Sequence, residues 1–178
     1  MNAVALAEAS IHIPDVGLCH VGTEPIYDDY VESSSCLNLY LSESVQEIGT
    51  VSVKHMTSDG GVVRFSGLEV QEGFRGMGLG SLLTRKAVEF ARGFDPALIT
   101  EYAANERSLA AFCGNFDSEQ LKFWKVSTKT GAKLGPEEIR QEEAEAFLER
   151  LRSQQSAHQL DSTDELQDFA VKVDAELV

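Results

Sequence analysis

Residues Leu68 to Ala91 read LEVQEGFRGMGLGSLLTRKAVEFA, and the change of period within this stretch decides the fold. Upstream, in GVVRFSGLEV (Gly61 to Val70), Val63, Phe65, Leu68 and Val70 supply the apolar content of a β run. The alternation slips at Gly67, which predicts a bulge or a close approach there. The strand is expected to end at Gln71-Glu72-Gly73. From Leu79 the period changes: Leu79, Leu82, Leu83, Ala87, Phe90 and Ala91 recur at helical spacing, with Thr84, Arg85, Lys86 and Glu89 on the other side and Gly93 just past the end.

Between strand and helix lies Arg75-Gly76-Met77-Gly78-Leu79-Gly80-Ser81. Glycines at alternate positions let the backbone come close to a ligand and let several N–H groups point the same way, which makes an anion-binding nest. The nest abuts a helix N-terminus, where unpaired N–H groups and the macrodipole both favour phosphate. A Walker loop is excluded because no Gly-Lys-Ser or Gly-Lys-Thr closes the glycine run. A Rossmann fingerprint is matched in part, and Asp95 lies nineteen residues after Gly76. Context argues against it: the third glycine is displaced, a polar stretch separates strand from glycines, and no chain of βαβ units follows.

The third kind of loop fits better. Leu68-x-Val70 followed by Arg75-Gly76-Met77-Gly78-Leu79-Gly80-Ser81-Leu82-Leu83 resembles the acetyl-CoA signature of the GCN5-related N-acetyltransferases (GNAT), over roughly Ile48 to Phe112. The resemblance implies an α/β fold: a GNAT-type mixed sheet, with an antiparallel N-terminal meander, splayed parallel central strands and flanking helices. It further implies that the main chain of Leu68 and Val70 holds the pantetheine arm of acetyl-CoA. The pyrophosphate then falls to N–H groups from Arg75 to Ser81, among them Gly76, Met77, Gly78 and Gly80. Asn105 resembles the family's helix-start Asn that touches the cofactor arm; as an N-cap of Glu106 to Phe112 it has an equally good structural reason to be there.

The remaining elements agree with that order. CLNLYLSES (Cys36 to Ser44) and EIGTVSVKHMT (Glu47 to Thr57) precede the β run, with Ser58-Asp59-Gly60-Gly61 as a hairpin turn. Asp95-Pro96 breaks the chain after the helix, and ALITEYAA (Ala97 to Ala104) is the next strand, expected parallel to its predecessor across the helical crossover. Before the meander, IHIPDVGLCHV is read as a short strand interrupted at Pro14, and TEPIYDDYVESSS as a loop with one helical turn, so that the family's two N-terminal helices are shortened or replaced. Towards the other end, Pro136 opens a predicted helix with Glu137 and Glu138 in its first turn and an apolar stripe of Ile139, Ala144, Phe147, Leu148 and Leu151. The terminal DFAVKVDAELV alternates as an edge strand does. Residues 1–135 are read as the acetyl-CoA-binding core with an atypical N-terminal segment, and 136–178 as an acidic helix and strand packed on the same domain.

The chemistry implied by the resemblance is acetyl transfer to a primary amine by direct nucleophilic attack. An alkyl ammonium is protonated at pH 7, so a base must take its proton and a donor must assist the departing thiolate. Glu101, in TEYAAN, resembles the family's strand Glu a few residues before the Asn and is the first candidate base. Glu69 is the second; the position at which the histone-modifying branch carries its Glu is Arg64 here. Each Glu also has a bland reading as a solvated strand-face carboxylate. The family's donor Tyr, about seven residues after the Asn, falls on Phe112. In another register SEQLKFWKVSTKTGAKL forms the second cofactor helix and the donor position is Trp124. Neither has a hydroxyl, leaving Tyr102, Cys113 or water. A non-catalytic module that binds CoA or a protein partner is therefore the alternative.

Composition fits one soluble globular domain. Cys19, Cys36 and Cys113 are odd in number and outside ligand spacing, which favours a reducing compartment over a disulfide framework. The histidines His12, His20, His55 and His158 show no metal-ligand spacing, so no metal is expected. No apolar run is long enough to span a bilayer, and a cytoplasmic location without membrane association is expected. The formal net charge is −14, and residues 137–178 carry twelve acidic against four basic side chains. That excess disfavours nucleic acid and mildly favours a cationic acceptor, a small molecule or a peptide bearing an amine. A homodimer is expected by resemblance.

Overall fold

The structure, a computed structural model, describes residues 10–26, 33–56, 61–129, 135–156 and 168–177. The chain forms two compact units, one running to Ile99 and taking in Leu177, the other Thr100–Glu176.

The first unit is an antiparallel meander: β1 (Ile11–Ile13), β2 (Gly17–Ile26), β3 (Ser33–Leu41), β4 (Gln46–Met56) and β5 (Val62–Val70). Pro14 does more than interrupt a strand. The Val16 amide bonds the Ile13 carbonyl, Asp15 and Gly17 take positive φ, and the chain doubles back so that Ile13 pairs with Gly17. Strands therefore occupy the described part of the region where two helices are usual in the family. Thr23–Ile26 and Ser33–Ser35, read as loop from their composition, are strand: Ile26 pairs with Ser34 and Pro25 with Ser35, while Ser34 also pairs with Lys54. Ladders on both sides outweigh the low strand propensity of serine, as tertiary context commonly does. The predicted helical turn after Ile26, at 27–32, lies outside the described residues, as do 57–60 of the predicted hairpin turn, whose flanks pair as expected with Met56 opposite Val62.

The slip at Gly67 is a bulge. Thr50 faces Glu69 and Ser52 faces Ser66, so Gly67 and Leu68 together oppose Val51, with Gly67 at φ +63. After β5 one 3₁₀ turn (Glu72–Phe74) leads to α1 (Leu79–Arg92), which packs on β3, β4 and β5. Leu79, Leu83, Ala87, Phe90 and Ala91 are buried as their spacing requires. Thr84, placed on the solvent side by its polarity, is buried too; its hydroxyl donates to the Gly80 carbonyl at 2.9 Å and so enters the core without an unmet hydrogen bond. Gly49 lets the helix lie close, since a Cβ there would stand 2.8 Å from Leu83 Cδ1 and 3.1 Å from the Glu69 carbonyl oxygen. Leu37, Leu39, Ile48, Val51, Val53 and Val63 complete the core under the helix.

β6 (Leu98–Ala103) carries the chain into the second unit, followed by α2 (Glu106–Cys113), β7 (Leu121–Ser127), β8 (Glu137–Ile139), α3 (Gln141–Ser156) and β9 (Phe169–Glu176). Three readings change here. Leu121–Ser127 is a strand, so the register that made Ser118 to Leu134 a cofactor helix falls; Phe123 is buried and the other residues of the strand are half-buried. Glu137–Ile139 pairs with Lys125–Phe123, and the helix begins only at Gln141, with Glu142 and Glu143 in its first turn. Strand pairing with β7 overrides the helix-start signal of Pro136. Finally, β9 is no edge strand: it lies between β6 and β7, in antiparallel register with β7 from Leu121 opposite Ala175 to Ser127 opposite Phe169. Ala144, Phe147 and Leu148 of the predicted stripe are buried, on the side of α3 that packs against β7 and β9.

Candidate functional site

The first unit carries the glycine loop. Leu68 and Val70 are half-buried on β5 and Glu69 is exposed. The Val70 carbonyl accepts from Arg75 Nε at 3.0 Å, so Arg75 pins the strand end instead of merely presenting a charge. Gln71, which no motif marks, does similar work: its amide bonds the Ile48 carbonyl and its side-chain Nε2 donates to the Glu47 carbonyl. The amides of Phe74 and Arg75, bonded to the Gln71 and Glu72 carbonyls, close the 3₁₀ turn and aim the chain into the glycines.

Gly76 and Gly78 stand at φ +83 and +77, and Gly78 is the N-cap of α1 in the left-handed region. Non-glycine residues are strained there. Gly80 has no such φ, and a Cβ at any of the three positions would meet no protein atom within 4 Å. The protein's own packing therefore gives no reason for glycine at 80; open space above the helix start does. The first α1 bond among these residues is Leu82 N to Gly78 O, which leaves the amides of Leu79, Gly80 and Ser81 ahead of the intrahelical ladder. No side chain caps them and no acidic residue stands in the first turn. Three donors, a positive dipole end and unfilled space fit a diphosphate. The residues present thus suit the phosphate portion of a CoA.

The second unit carries Glu101 and Asn105. Glu101, on β6, is 6% exposed, and burial pushes its carboxyl up to about 8. Among the described residues it makes no hydrogen bond or ion pair, and no opposite charge holds it ionised. Asn105 caps α2: its Oδ1 accepts from Arg107 N at 3.0 Å and Ser108 N at 2.9 Å, while Ser108 Oγ accepts from Asn105 N at 3.2 Å. This reciprocal box occupies the Asn oxygen and leaves only its amide nitrogen for any ligand. Phe112 is fully buried against Phe116, with ring centroids 5.0 Å apart. Tyr102 is 44% exposed. Burial pushes the Cys113 thiol up to about 11, the carboxylates of Glu101 and Glu145 adding to it. It is a neutral thiol at physiological pH and a poor nucleophile. Among the described residues no three His, Cys, Asp or Glu side chains are grouped to hold a metal, and no helix is long and apolar enough to cross a membrane; His158 lies outside those residues.

Residues 15–114, more than half of the chain, match the sequence profile of the Acetyltransferase (GNAT) family, and the chain belongs to that family. It is a family of acyl-CoA-dependent N-acetyltransferases with acetyl-CoA as donor. No curated protein matches the sequence. Among solved structures, IAA acetyltransferase from Bacillus cereus ATCC 14579 superposes with a TM-score of 0.51 at 13% identity, over 88% of this chain and 99% of that one. The Bacillus subtilis acetyltransferase in complex with CoA does so with 0.51 at 10% identity, over 89% and 99%. Nourseothricin acetyltransferase gives 0.45 at 16% identity over 80% of this chain, which spans 65% of its length. At such identities the likeness is one of fold.

Proposed function

We propose that this protein transfers the acetyl group of acetyl-CoA to a primary amine by direct attack. One observation carries the reading: the two positive-φ glycines leading into an uncapped helix start, with open space where Cβ atoms would be. The amides of Gly76 to Ser81, Met77 included, would hold the diphosphate. The main chain of Leu68 and Val70 would hold the pantetheine arm, Arg75 would fix their geometry, and the Asn105 amide would touch that arm. Bound acetyl-CoA supplies an activated thioester.

Glu101 is the base of choice. A carboxyl near 8 is ionised often enough at neutral pH to accept a proton from an ammonium, and basic enough to be useful when it does. Glu69, exposed, is the second candidate for that role. The carboxylate would first take a proton from the ammonium and free the nitrogen lone pair; the nitrogen then bonds to the acyl carbon, the C–S bond breaks, and the second proton that nitrogen sheds as the amide forms passes, directly or through water, to the CoA thiolate. Phe112 at the family's Tyr position is the observation that favours a second reading, a CoA-binding module without turnover. Calorimetry and CoA-release assays separate the two. Wild type should bind CoA and release it from acetyl-CoA in the presence of an amine panel, while Gly78→Trp, which fills the open space and cannot relax at positive φ, should lose CoA binding by at least tenfold. Binding without release from any amine favours the module; no heat with CoA at millimolar concentration sinks both.

A further inference from the structure

Four large apolar side chains stand exposed among the described residues: Leu18, Val45, Met77 and Tyr102. Met77 alone belongs to the glycine loop, and it is 41% exposed. The local sequence explains why. Gly76 and Gly78, at φ +83 and +77, flank it with no side chains to screen it. Arg75 to Gly78 are all exposed, and the chain does not return to the core until Leu79. A Cβ at Gly80 would touch no atom within 4 Å, Met77 included. Met56, by contrast, is half-buried at the end of β4, opposite Val62.

A thioether so placed is open to hydroperoxides. The sulfur lone pair attacks one peroxide oxygen, the O–O bond breaks, and the departing hydroxide or alkoxide takes up the proton that came with the transferred oxygen. Sulfur is oxidised to the sulfoxide and the peroxide is reduced to water or an alcohol. The product is polar, and its new oxygen only accepts hydrogen bonds. Two residues along the chain, a span of at most about 7 Å, the amides of Leu79, Gly80 and Ser81 begin. These precede the α1 ladder and have no side-chain cap. A sulfoxide oxygen and a diphosphate both want those donors and the positive helix end. The sulfoxide is tethered, so it competes within the molecule, at an effective concentration that dissolved CoA does not match.

We propose that Met77 is an oxidation site that controls the loop: its sulfoxide, formed by a hydroperoxide, closes the diphosphate nest, and reduction by a thiol-dependent sulfoxide reductase reopens it. Bound CoA in turn shields the thioether. The inference rests on the reading of the Gly76 to Ser81 amides as the diphosphate site and adds a regulation to it. The cysteines are poorer targets, because the thiolate is their reactive form. Cys19 is buried, Cys36 is half-buried with its sulfur 3.4 Å from the Ser52 hydroxyl, and burial pushes the Cys113 thiol up to about 11.

The full chain, treated with hydrogen peroxide and then with dithiothreitol to reverse disulfides and sulfenic acids, tests this. The tryptic peptide Gly76–Arg85 should gain one oxygen faster than the peptide that carries Met56, and saturating CoA should slow that gain severalfold. In calorimetry the oxidised wild type should bind CoA about tenfold more weakly than before treatment, the worth of one charge-assisted hydrogen bond. The two sulfoxide reductases, one for each epimer, should together restore the affinity. Met77→Leu keeps the loop amides and removes the thioether; measured against its own untreated form, its CoA affinity should not respond to peroxide. Met56→Leu should respond as the wild type does. Oxidation of Met77 without loss of affinity, an equal loss in Met77→Leu, or no shielding by CoA overturns the inference alone. An untreated wild type that gives no heat with CoA overturns the loop reading, and this inference with it.

Discussion

Glu101 shows how much a single position can set. Burial gives it a proton affinity that an exposed glutamate lacks, with its carboxyl at about 8. If it is the base, kcat/KM should climb about tenfold per pH unit below that value and bend near pH 8, because only the ionised carboxylate accepts a proton. In Glu101→Gln the bend should vanish and activity fall by about two orders of magnitude or more. The slope that remains should be that of the amine's own ionisation, which continues toward about pH 10. A profile identical in the variant would remove Glu101 from the reaction. Its candidacy came from the resemblance of TEYAAN to the family strand that carries a Glu a few residues before the Asn. Its burial was not, because that depends on which residues of the fold surround it.

Among the elements, α1 and β5 were the most legible, since a switch of apolar period from two to 3.6 across a glycine run is the pattern that a strand, a tight loop and a helix leave in a chain. The misreadings share a cause. Ser33–Ser35, Glu137–Ile139 and Leu121–Ser127 are strands because neighbouring strands pair with them, and a pairing partner distant in sequence leaves no local mark. The same holds at Thr84, whose burial depends on its hydroxyl finding the Gly80 carbonyl. Gly49 was equally silent, being one glycine in an ordinary strand. Gly49→Ala should nevertheless cost about 1–3 kcal/mol in chemical denaturation, because the added methyl meets Leu83 Cδ1 at 2.8 Å and a backbone oxygen at 3.1 Å. Unchanged stability would mean that α1 shifts freely on β4.

For the molecule as a whole, the same carboxyl should make folding depend on pH. An unfolded glutamate releases its proton near 4.5, whereas Glu101 in the fold holds it to about 8. Between those values the folded state carries the additional proton, so its stability should fall as pH rises and then level off above about 8. Glu101→Gln has no such proton. The variant should gain on wild type by up to a few kcal/mol between pH 4.5 and 8 in denaturant titrations, and parallel curves would show that the site is wetter than its burial implies. The net charge of −14 belongs to this scale as well. It was legible from composition, but the face on which an individual carboxylate such as Glu69 stands came only from strand register.

The helix that begins at Leu79 enters the fold without a side chain to shield its first three amides. As in any α-helix these amides stand ahead of the intrahelical ladder, and an arriving anion would accept from them in place of water. Deuterium uptake at Leu79, Gly80 and Ser81 should therefore be fast in the free protein and slow sharply with CoA, and the melting temperature should rise with the logarithm of ligand concentration. In this protein the donor substrate would be part of what folds the first turn of α1.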